Sequence, residues 1–589
     1  MSDWVRAAAV DDIRVGGAKS FAYLDKRIAL FRTSGGVFAS DNRCPHQGYA
    51  LVRGDVQDGV LTCAWHNWKF ELGTGICRYG GENIRTYPVQ IRDGQVLVDV
   101  ADPSAETIRP DLFRSLNAAM GDLDVGRMAR DTMRLQRIGT PLAEVVREGV
   151  RYAAPRAEYG WDHSLATLAD CLRMSEFFEE SLRALPVIQG LSVAADDQVR
   201  RPARGRPDPV DPVAAYGSIA SALTAYPVLV DAEQAVEAEG LFRGLIAAGV
   251  SPAVLRHTLL TAVTDHFLAY GHSMIFVQKA FELLDGIGWS EADAVLSPLV
   301  PEMVLGTRYD KLPYMRTFLR AWEGAEPDLE SLARRGGCGG AGVGAGGFDQ
   351  LGYRRALTDG SPQDAVAALV AALEGGAAVT AVIDATGRAA AERLARFDIE
   401  LDLDDTNDWG WLDVTHTLTY LNALRWAWSA DPSPQVLRGL FHAAWFVQWT
   451  GQFDERNTGP GRGRPQPHPT QDATEVHRAI VRRDPDAAVA LVDGYSGPRA
   501  ELERSLIRAA AEDHSTAPIM VAHVVKTARA AVEESRALGD GPGSSEPMAA
   551  AARFLASPKR ERFVFQSTLE AITTLRGVPK PESDQVRPT

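Results

Sequence analysis

The sequence predicts a multidomain protein, a small all-β domain followed by a large all-α domain, and two observations predict it. Up to about residue 102, short apolar runs alternate with period two between Gly and Asp turn signals, as in SFAYLDKRIALFRT, GDVQDGVLTC and VQIRDGQVLVDV. From about residue 104 onward, Ala, Leu, Arg and Glu recur at helical spacing and little of the chain alternates. The expected domains are therefore 1–103 and 104–589, with ADPSAE (101–106) as the exit from the first. Within the β part, Asp-Gly at 58–59 and at 93–94, each between apolar strands, marks a hairpin.

The helical part has its own punctuation. SPAVLRHTLLTAVTDHFLAYGHSMIFVQKAFELLDG (251–286) opens with Ser then Pro, an N-cap and N1 pair, and ends near Gly286, so it reads as one helical span. DPSPQVLRGLFHAAWFVQWTG (431–451) opens in nearly the same way, and the echo of SPAVLR in SPQVLR suggests a repeated helical-hairpin unit. Three stretches read as loops: 200–212, the glycine-rich 334–347 and 457–471. The glycine-rich one lacks the Lys-Ser/Thr ending and the strand-before, helix-after context of a phosphate loop, so it reads as a flexible surface connection.

Composition excludes several classes. Length alone allows three or four units of ~100–200 residues. Hydrophobic content of 45% with 24% charged residues is that of a globular protein. No apolar run approaches the ~20 residues that cross a bilayer. MSDWVRAAAVDDIRV has no basic segment followed by an apolar one, so no secretory signal is read and a cytoplasmic location is expected. Acids outnumber bases 77 to 62, for a net charge of −15, which argues against nucleic acid as a partner. Five Cys, at 44, 63, 77, 171 and 338, form no regular disulfide framework and fit a reducing compartment, which leaves thiolates available for metal.

Two of those Cys stand beside His. Cys44-Pro-His46 is followed, sixteen residues later, by Cys63-Ala-Trp-His66, on segments that read as β-hairpins. Two short loops of this form, with Trp65, Trp68 and Phe70 around His66, and with GTGICR followed by YPVQIRDGQVLV, resemble the Rieske iron–sulfur domain over about one hundred residues. The resemblance implies a [2Fe-2S] cluster in which Cys44 and Cys63 bind the inner iron and His46 and His66 the outer, solvent-facing one. Imidazoles donate less charge than thiolates and so raise the reduction potential above that of an all-Cys cluster. The alternative is a structural zinc site, which also takes two Cys and two His. Respiratory members carry an extra Cys in each loop that forms a disulfide. Here the neighbours are Gln47-Gly48 and Trp65, so the ferredoxin and oxygenase type is expected, toward the low end of a span of roughly −150 to +300 mV. Cys77 is expected to be a packed thiol rather than a ligand.

An electron module fused to a larger domain raises the question of its acceptor. Ring-hydroxylating oxygenases hold a mononuclear iron on two His and one carboxylate, through a D/E-x2-H-x4-H element in a strand-rich domain, and neither that element nor those strands follow residue 104. Most His outside the cluster lie on helical patterns. His442, with Trp445, Phe446 and Trp449 on its side, lies on an apolar face, and His272, His416 and His523 also have apolar or aromatic neighbours one turn away. A single inward His is usually a hydrogen-bonded core residue; several in one domain point toward a site. Asp precedes His at 162–163, 265–266 and 513–514, and His266 and His272, six apart, face one metal only if Gly271 relaxes the helix.

A second resemblance covers parts of 155–540. DHSLATLADCL, YGHSMIFVQKAFELL, THTLTYLNALRWAW with the following PSPQVLRGLFHAAW, and AHVVKTARAAVEE look like helices of the questin-oxidase-like proteins, an all-helical family linked to NADPH-dependent oxidative cleavage of anthraquinone-type ring ketones. The resemblance nominates His163, His272, His416 and His523 as catalytic, with Lys526 one turn after the last. The expected function is thus a self-contained oxygenase. The cluster, fed by an NAD(P)H-dependent reductase or a ferredoxin, passes electrons to a redox site among the helical His, where non-haem iron is a candidate cofactor. There O2 is used on a small organic substrate, aromatic or polyketide-like, in a pocket expected around Trp426, Trp445 and Trp449. The alternatives are a metal-free enzyme in which the His act as acids and bases, and a redox sensor or electron carrier whose helices are a docking scaffold.

Overall fold

The computed structural model describes residues 2–325, 328–337, 348–404, 409–454 and 465–560. It divides into two compact units, one of residues 1–118 with 137–139 and one of the remainder.

The first unit carries eleven strands in three antiparallel sheets. β1 (Trp4–Ala9), β10 (Val89–Arg92) and β11 (Gln95–Asp99) form the first, in the order β1-β11-β10. β2 (Gly17–Tyr23), β3 (Lys26–Thr33), β4 (Gly36–Asp41) and β9 (Thr86–Tyr87) form the second in that order, and β5 (Asp55–Gln57), β6 (Val60–Thr62), β7 (Lys69–Glu71) and β8 (Cys77–Tyr79) the third. Both expected Asp-Gly hairpins are present. Asp58-Gly59 joins β5 to β6 and Asp93-Gly94 joins β10 to β11, with all four residues at positive φ, as a two-residue turn of this twist requires. β3 is buried on both faces because its side chains alternate between two cores. Ile28 and Leu30 meet Val96 and Val98 on one side; Ala29 and Phe31 meet Leu51, Leu61, Phe70, Cys44 and Cys63 on the other.

After the last strand the chain is helical, beginning with Ala105–Gly121. In the second unit the helices His163–Met174, His272–Ile287, Trp411–Ala430 and Pro518–Ala537 pack side by side in a closed ring, so that each touches two of the others along its inner face. The expectation of one helix over 251–286 is corrected. The chain breaks between Pro252–His266 and His272–Ile287, where Phe267, Ala269, Tyr270 and Gly271 all have positive φ. The break is held by the backbone N–H of Ala269 donating to Thr307 O at 2.9 Å. The SPAVLR and SPQVLR echo corresponds to a shared N-cap. Ser251 and Ser433 each accept from the backbone N–H three residues on, with Pro at the first helical position. Residues 201–211 form a loop, as expected, with Pro212 already opening the helix Pro212–Tyr216; the glycine-rich loop is corrected at 334–337, which end the helix Leu329–Gly337, while 338–347, and 457–464 of the third loop, lie outside the described residues. Among the described residues no helix is long and apolar enough to cross a membrane.

Candidate functional site

Two sites emerge, one in each unit. In the β unit the loops at 44 and 63 are built alike. The N–H of Cys44 donates to Tyr49 O and the N–H of Gly48 returns to Cys44 O, both at 2.8 Å. The N–H of Cys63 donates to Trp68 O at 2.8 Å, and that of Asn67 returns to Cys63 O at 3.2 Å. Each loop closes through a residue at positive φ, Gly48 in one and Asn67 in the other, both of which tolerate that conformation. The two loops bring His46 and His66 edge to face, with ring centroids 4.5 Å apart. His46 stacks flat on Trp68, and Trp65 lies 4.7 Å from His66. Cys44 and Cys63 are buried, whereas His66 is exposed.

The donor set fits a bound iron–sulfur group. Burial first, and then the neighbouring Cys63, push the Cys44 thiol up to about 11, so a thiolate there needs a nearby cation. His46 Nδ1 is buried and accepts and donates no hydrogen bond, an expensive arrangement for an imidazole without a metal partner. Cys77, half-buried, packs against the same apolar cluster through its side chain, while its N–H donates to Asn83 Oδ1.

In the helical unit the four nominated His converge, although they span 361 residues of sequence. His272 Nε2 lies 3.0 Å from His163 Nε2 and 2.9 Å from His416 Nε2. Nitrogens of His163, His272 and His523 lie within 4.8 Å of one another, and the His416 and His523 rings are 5.2 Å apart. The opposite nitrogens are pinned. Nδ1–H of His272 donates to Ala269 O, that of His416 to Leu412 O and that of His523 to Ile519 O, at 2.6 to 2.7 Å. A carbonyl only accepts, so in each neutral ring Nε2 carries the lone pair. Two such lone pairs facing each other at 2.9 Å share no proton, and His523 Nε2 is buried without a partner. His163 Nε2–H can donate to His272 Nε2 and Lys526 Nζ to His416 Nε2, which leaves the His523 lone pair unmatched, and nitrogens of His163, His272 and His523 lie close enough together to hold a cation.

Electrostatics keep these rings neutral. Burial, reinforced by Lys526, lowers His272 to about 3, and burial holds His163, His416 and His523 well below the ordinary imidazole value. Lys526 Nζ sits 3.2 Å from His416 Nε2 and is itself pulled down to about 7 by burial, against the pull of Asp170. Two turns below the His, Lys279 Nζ pairs with Asp170 Oδ1 at 2.9 Å and with Glu282 at 3.4 Å. Asp170 and Lys279 each lie seven residues after a site His, a polar recurrence on an otherwise apolar face that the sequence displays.

The remaining His are elsewhere. The break at 267–271 turns His266 away to Asp231, Asp310 and Arg308. His442 is buried against Phe267 and Trp322, with Tyr420 Oη 3.4 Å from its Nδ1. Asp162 caps its helix by accepting from the N–H groups of Ser164 and Leu165. The expected Trp group is corrected. Trp445 and Trp449 stack at 5.2 Å near the site, but Trp426 packs on Phe281 instead. Sequence reading missed Tyr270, which the break places edge-on to His416 at 5.2 Å and 6.0 Å from Trp449. Gly271 is required here, because its φ is +78° and a Cβ would lie 2.6 Å from the Tyr420 ring. Left-handed backbone at Ala269 and Tyr270 costs about 1–3 kcal/mol each, which the surrounding packing must hold.

Comparison with known proteins bears on the β unit. A family model of the Rieske [2Fe-2S] domain matches residues 3–88. The ferredoxin component of the naphthalene 1,2-dioxygenase system of Pseudomonas putida is 31% identical over 100 residues, which cover 17% of this chain and 96% of that one. The 4beta-methylsterol monooxygenase of Methylococcus capsulatus is 37% identical over 98 residues, 15% of this chain and 27% of that protein. Among solved structures, the ferredoxin of Sphingomonas yanoikuyae B1 is 27% identical over 17% of this chain and all of that one, with a TM-score of 0.16.

Proposed function

The chain belongs, through its N-terminal domain, to the Rieske [2Fe-2S] family, and from that premise we propose that it is a self-contained oxygenase, with its second redox site among the helical histidines. The observation that carries this reading is the convergence of His163, His272, His416 and His523 with three tautomers fixed so that Nε2 lone pairs meet. Nitrogens of His163, His272 and His523, within 4.8 Å of one another, would hold the ion, and imidazole ligands suit non-haem iron.

Cys44, Cys63, His46 and His66 would hold the cluster, which supplies one-electron transfer when bound. The chain's part is to bury the two thiols while leaving the His66 edge exposed to a donor, for which an NAD(P)H-dependent reductase or a ferredoxin is proposed. The naphthalene relative, a ferredoxin component of a dioxygenase system, supports electron flow toward an oxygenase; the acceptor proposed here is in the same chain. Iron held by His163, His272 and His523 would supply the activation of O2, with His416 beside it. Around it, Nδ1–H bonds orient three rings, and Lys526 holds a proton at Nζ beside His416. The substrate proposed is a small organic molecule, aromatic or polyketide-like, beside Tyr270, Trp445 and Trp449.

Anaerobic iron and sulfide analysis tests this. Three irons and two sulfides per chain are expected. His163→Ala, His272→Ala or His523→Ala should lose one iron while keeping the rhombic EPR signal of the reduced cluster, Cys63→Ser should abolish or convert that signal, and Cys77→Ala should leave it. Two irons and two sulfides in the unsubstituted protein would refute the two-site oxygenase and favour a metal-free enzyme, or an electron carrier or sensor with a helical docking scaffold.

A further inference from the structure

The helical unit buries charged side chains beneath its His cluster. Asp170, Lys279, Lys526 and Arg529 are 0%, 2%, 4% and 7% exposed, and burying charge is costly even when it is paired. Pairing alone does not explain which cations stand there. The chain has only eight Lys among its 62 Lys and Arg, and Arg is the better partner for a buried ion pair. The other buried cationic side chains among the described residues are accordingly Arg393, Arg529 and Arg553. Below the His cluster two Lys are used instead. Arg keeps its charge, whereas a buried Lys can release a proton, and burial already pulls Lys526 down to about 7.

These groups form a column that reaches water at one end. Glu282, Arg529 and Glu533 line a cavity of about 280 Å³ together with Arg173 and Arg536, and the side chains of Glu282 and Glu533 are 14% and 27% exposed. Glu282 Oε2 lies 3.4 Å from Lys279 Nζ, which lies 2.9 Å from Asp170 Oδ1. Asp170 Oδ2 is buried and accepts no hydrogen bond among the described residues. The charge of Asp170 reaches Lys526, whose Nζ stands 3.2 Å from His416 Nε2.

We propose that this column is a proton route, in which Glu282, Lys279 and Asp170 carry protons from the cavity to Lys526 beside the His site. Each donor is refilled from behind. Lys526 gives a proton to reduced O2 and Asp170 replaces it; Lys279 then protonates Asp170, and Glu282 passes to Lys279 the proton it has taken from water. The four groups end as they began, and the cavity has supplied one proton. The Arg529 guanidinium, 3.7 Å from Asp170 Oδ1 and from Glu282 Oε2, stays charged throughout and holds both carboxylates in place. Reduction of O2 consumes protons as well as electrons, and His416 and His523 are buried away from water. The inference rests on the proposed function and deepens it by assigning the proton supply.

The test uses the full chain, first loaded with its cluster and the third iron, reduced, and mixed with O2 in the absence of substrate. O2 then takes one electron from the cluster, one from the third iron and two protons, and leaves as H2O2. The informative rate is the part lost in His272→Ala. Glu282→Gln should slow that part at least about tenfold and raise its ratio in H2O over D2O, while Glu282→Asp restores most of it. Retention of three irons shows that a variant has folded, and Asp170→Asn should slow the same rate. The second readout needs no iron. In protein labelled with 15N at the Lys side chains eight signals are expected, and Lys279→Arg identifies its own by loss. The Lys279 Nζ–H groups should exchange with D2O at least about tenfold more slowly in Glu282→Gln than in the unsubstituted protein. A merely structural Glu282 predicts the reverse, because breaking its ion pair loosens the ammonium. In a three-iron protein, no rate that depends on His272, or a rate and isotope ratio unchanged in Glu282→Gln, overturns the inference; unslowed exchange overturns it whatever the iron count. A three-iron protein with unslowed exchange therefore keeps the proposed function and loses this inference, whereas a two-iron protein with slowed exchange does the reverse.

Discussion

His442→Leu is expected to flatten the acid dependence of the helical domain's stability. The ring is 5% exposed, lies 4.7 Å from Phe267 and meets only a long contact from Tyr420 Oη. Burial, with the charge of Arg438, lowers its pKa to about 3, against about 6.5 in an unfolded chain. Because the folded value is the lower one, the unfolded chain takes up a proton below pH 6.5 that the folded chain refuses. Stability is therefore full above pH 6.5 and is lost as the pH falls toward 3. Between pH 7.5 and 5.5 one such His withdraws about 1.4 kcal/mol. Leu binds no proton, and its altered packing costs the same at every pH. Urea unfolding followed by tryptophan fluorescence at pH 7.5, 6.5 and 5.5 should thus show the variant gaining about 1.4 kcal/mol on the unsubstituted protein across the range. Parallel profiles would mean that the folded protein protonates His442, and the burial argument would fail.

Gly271→Ala should destabilise the helical domain by about 2–4 kcal/mol, roughly 1–2 for the left-handed backbone and the rest for the close approach to Tyr420 and Phe446. A change below about 1 kcal/mol in the same urea assay would refute the assigned corner. A fragment of residues 1–103, proposed as the domain boundary, carries β1 to β11 and both ligand loops, and should fold and hold its cluster when expressed anaerobically with iron. If it is insoluble while residues 1–118 fold, the boundary lies inside the first helix, where the compact unit ends.

The β unit was legible because its signals are local. An Asp-Gly turn needs positive φ at two successive residues, and only a few residue pairs supply it, so 58–59 and 93–94 announce their hairpins. β3 was legible for the complementary reason, since KRIALFRT fills both faces of a strand with apolar side chains. The corner at 267–271 was not. Phe267, Ala269 and Tyr270 are poor left-handed residues, and Gly271 alone hinted that the helix could give. What holds them there comes from Thr307, Tyr420 and Phe446, 38 to 175 residues away in sequence, and no local pattern encodes that.

The same division runs through the sites. Cys44, His46, Cys63 and His66 lie within twenty-three residues, on two loops whose hydrogen bonds close locally, so their spacing nearly specifies their geometry. The helical His are different, because a core His and a site His share one helical pattern. His442 and His416 both lie inward on apolar faces, and sequence resemblance rather than periodicity separated them. The structure separates them physically. His442 has aromatic neighbours and a long hydroxyl contact to Nδ1, which packing explains. His416 spends Nδ1–H on its own helix and turns Nε2 toward Lys526 Nζ at 3.2 Å and His272 Nε2 at 2.9 Å, inside a buried polar cluster. The direction of an imidazole's second nitrogen is thus what marks His416 as a candidate and His442 as packing. For His272 that direction depends on the break that sends His266 the other way, so the least legible segment of the chain is the one that aims a candidate site residue.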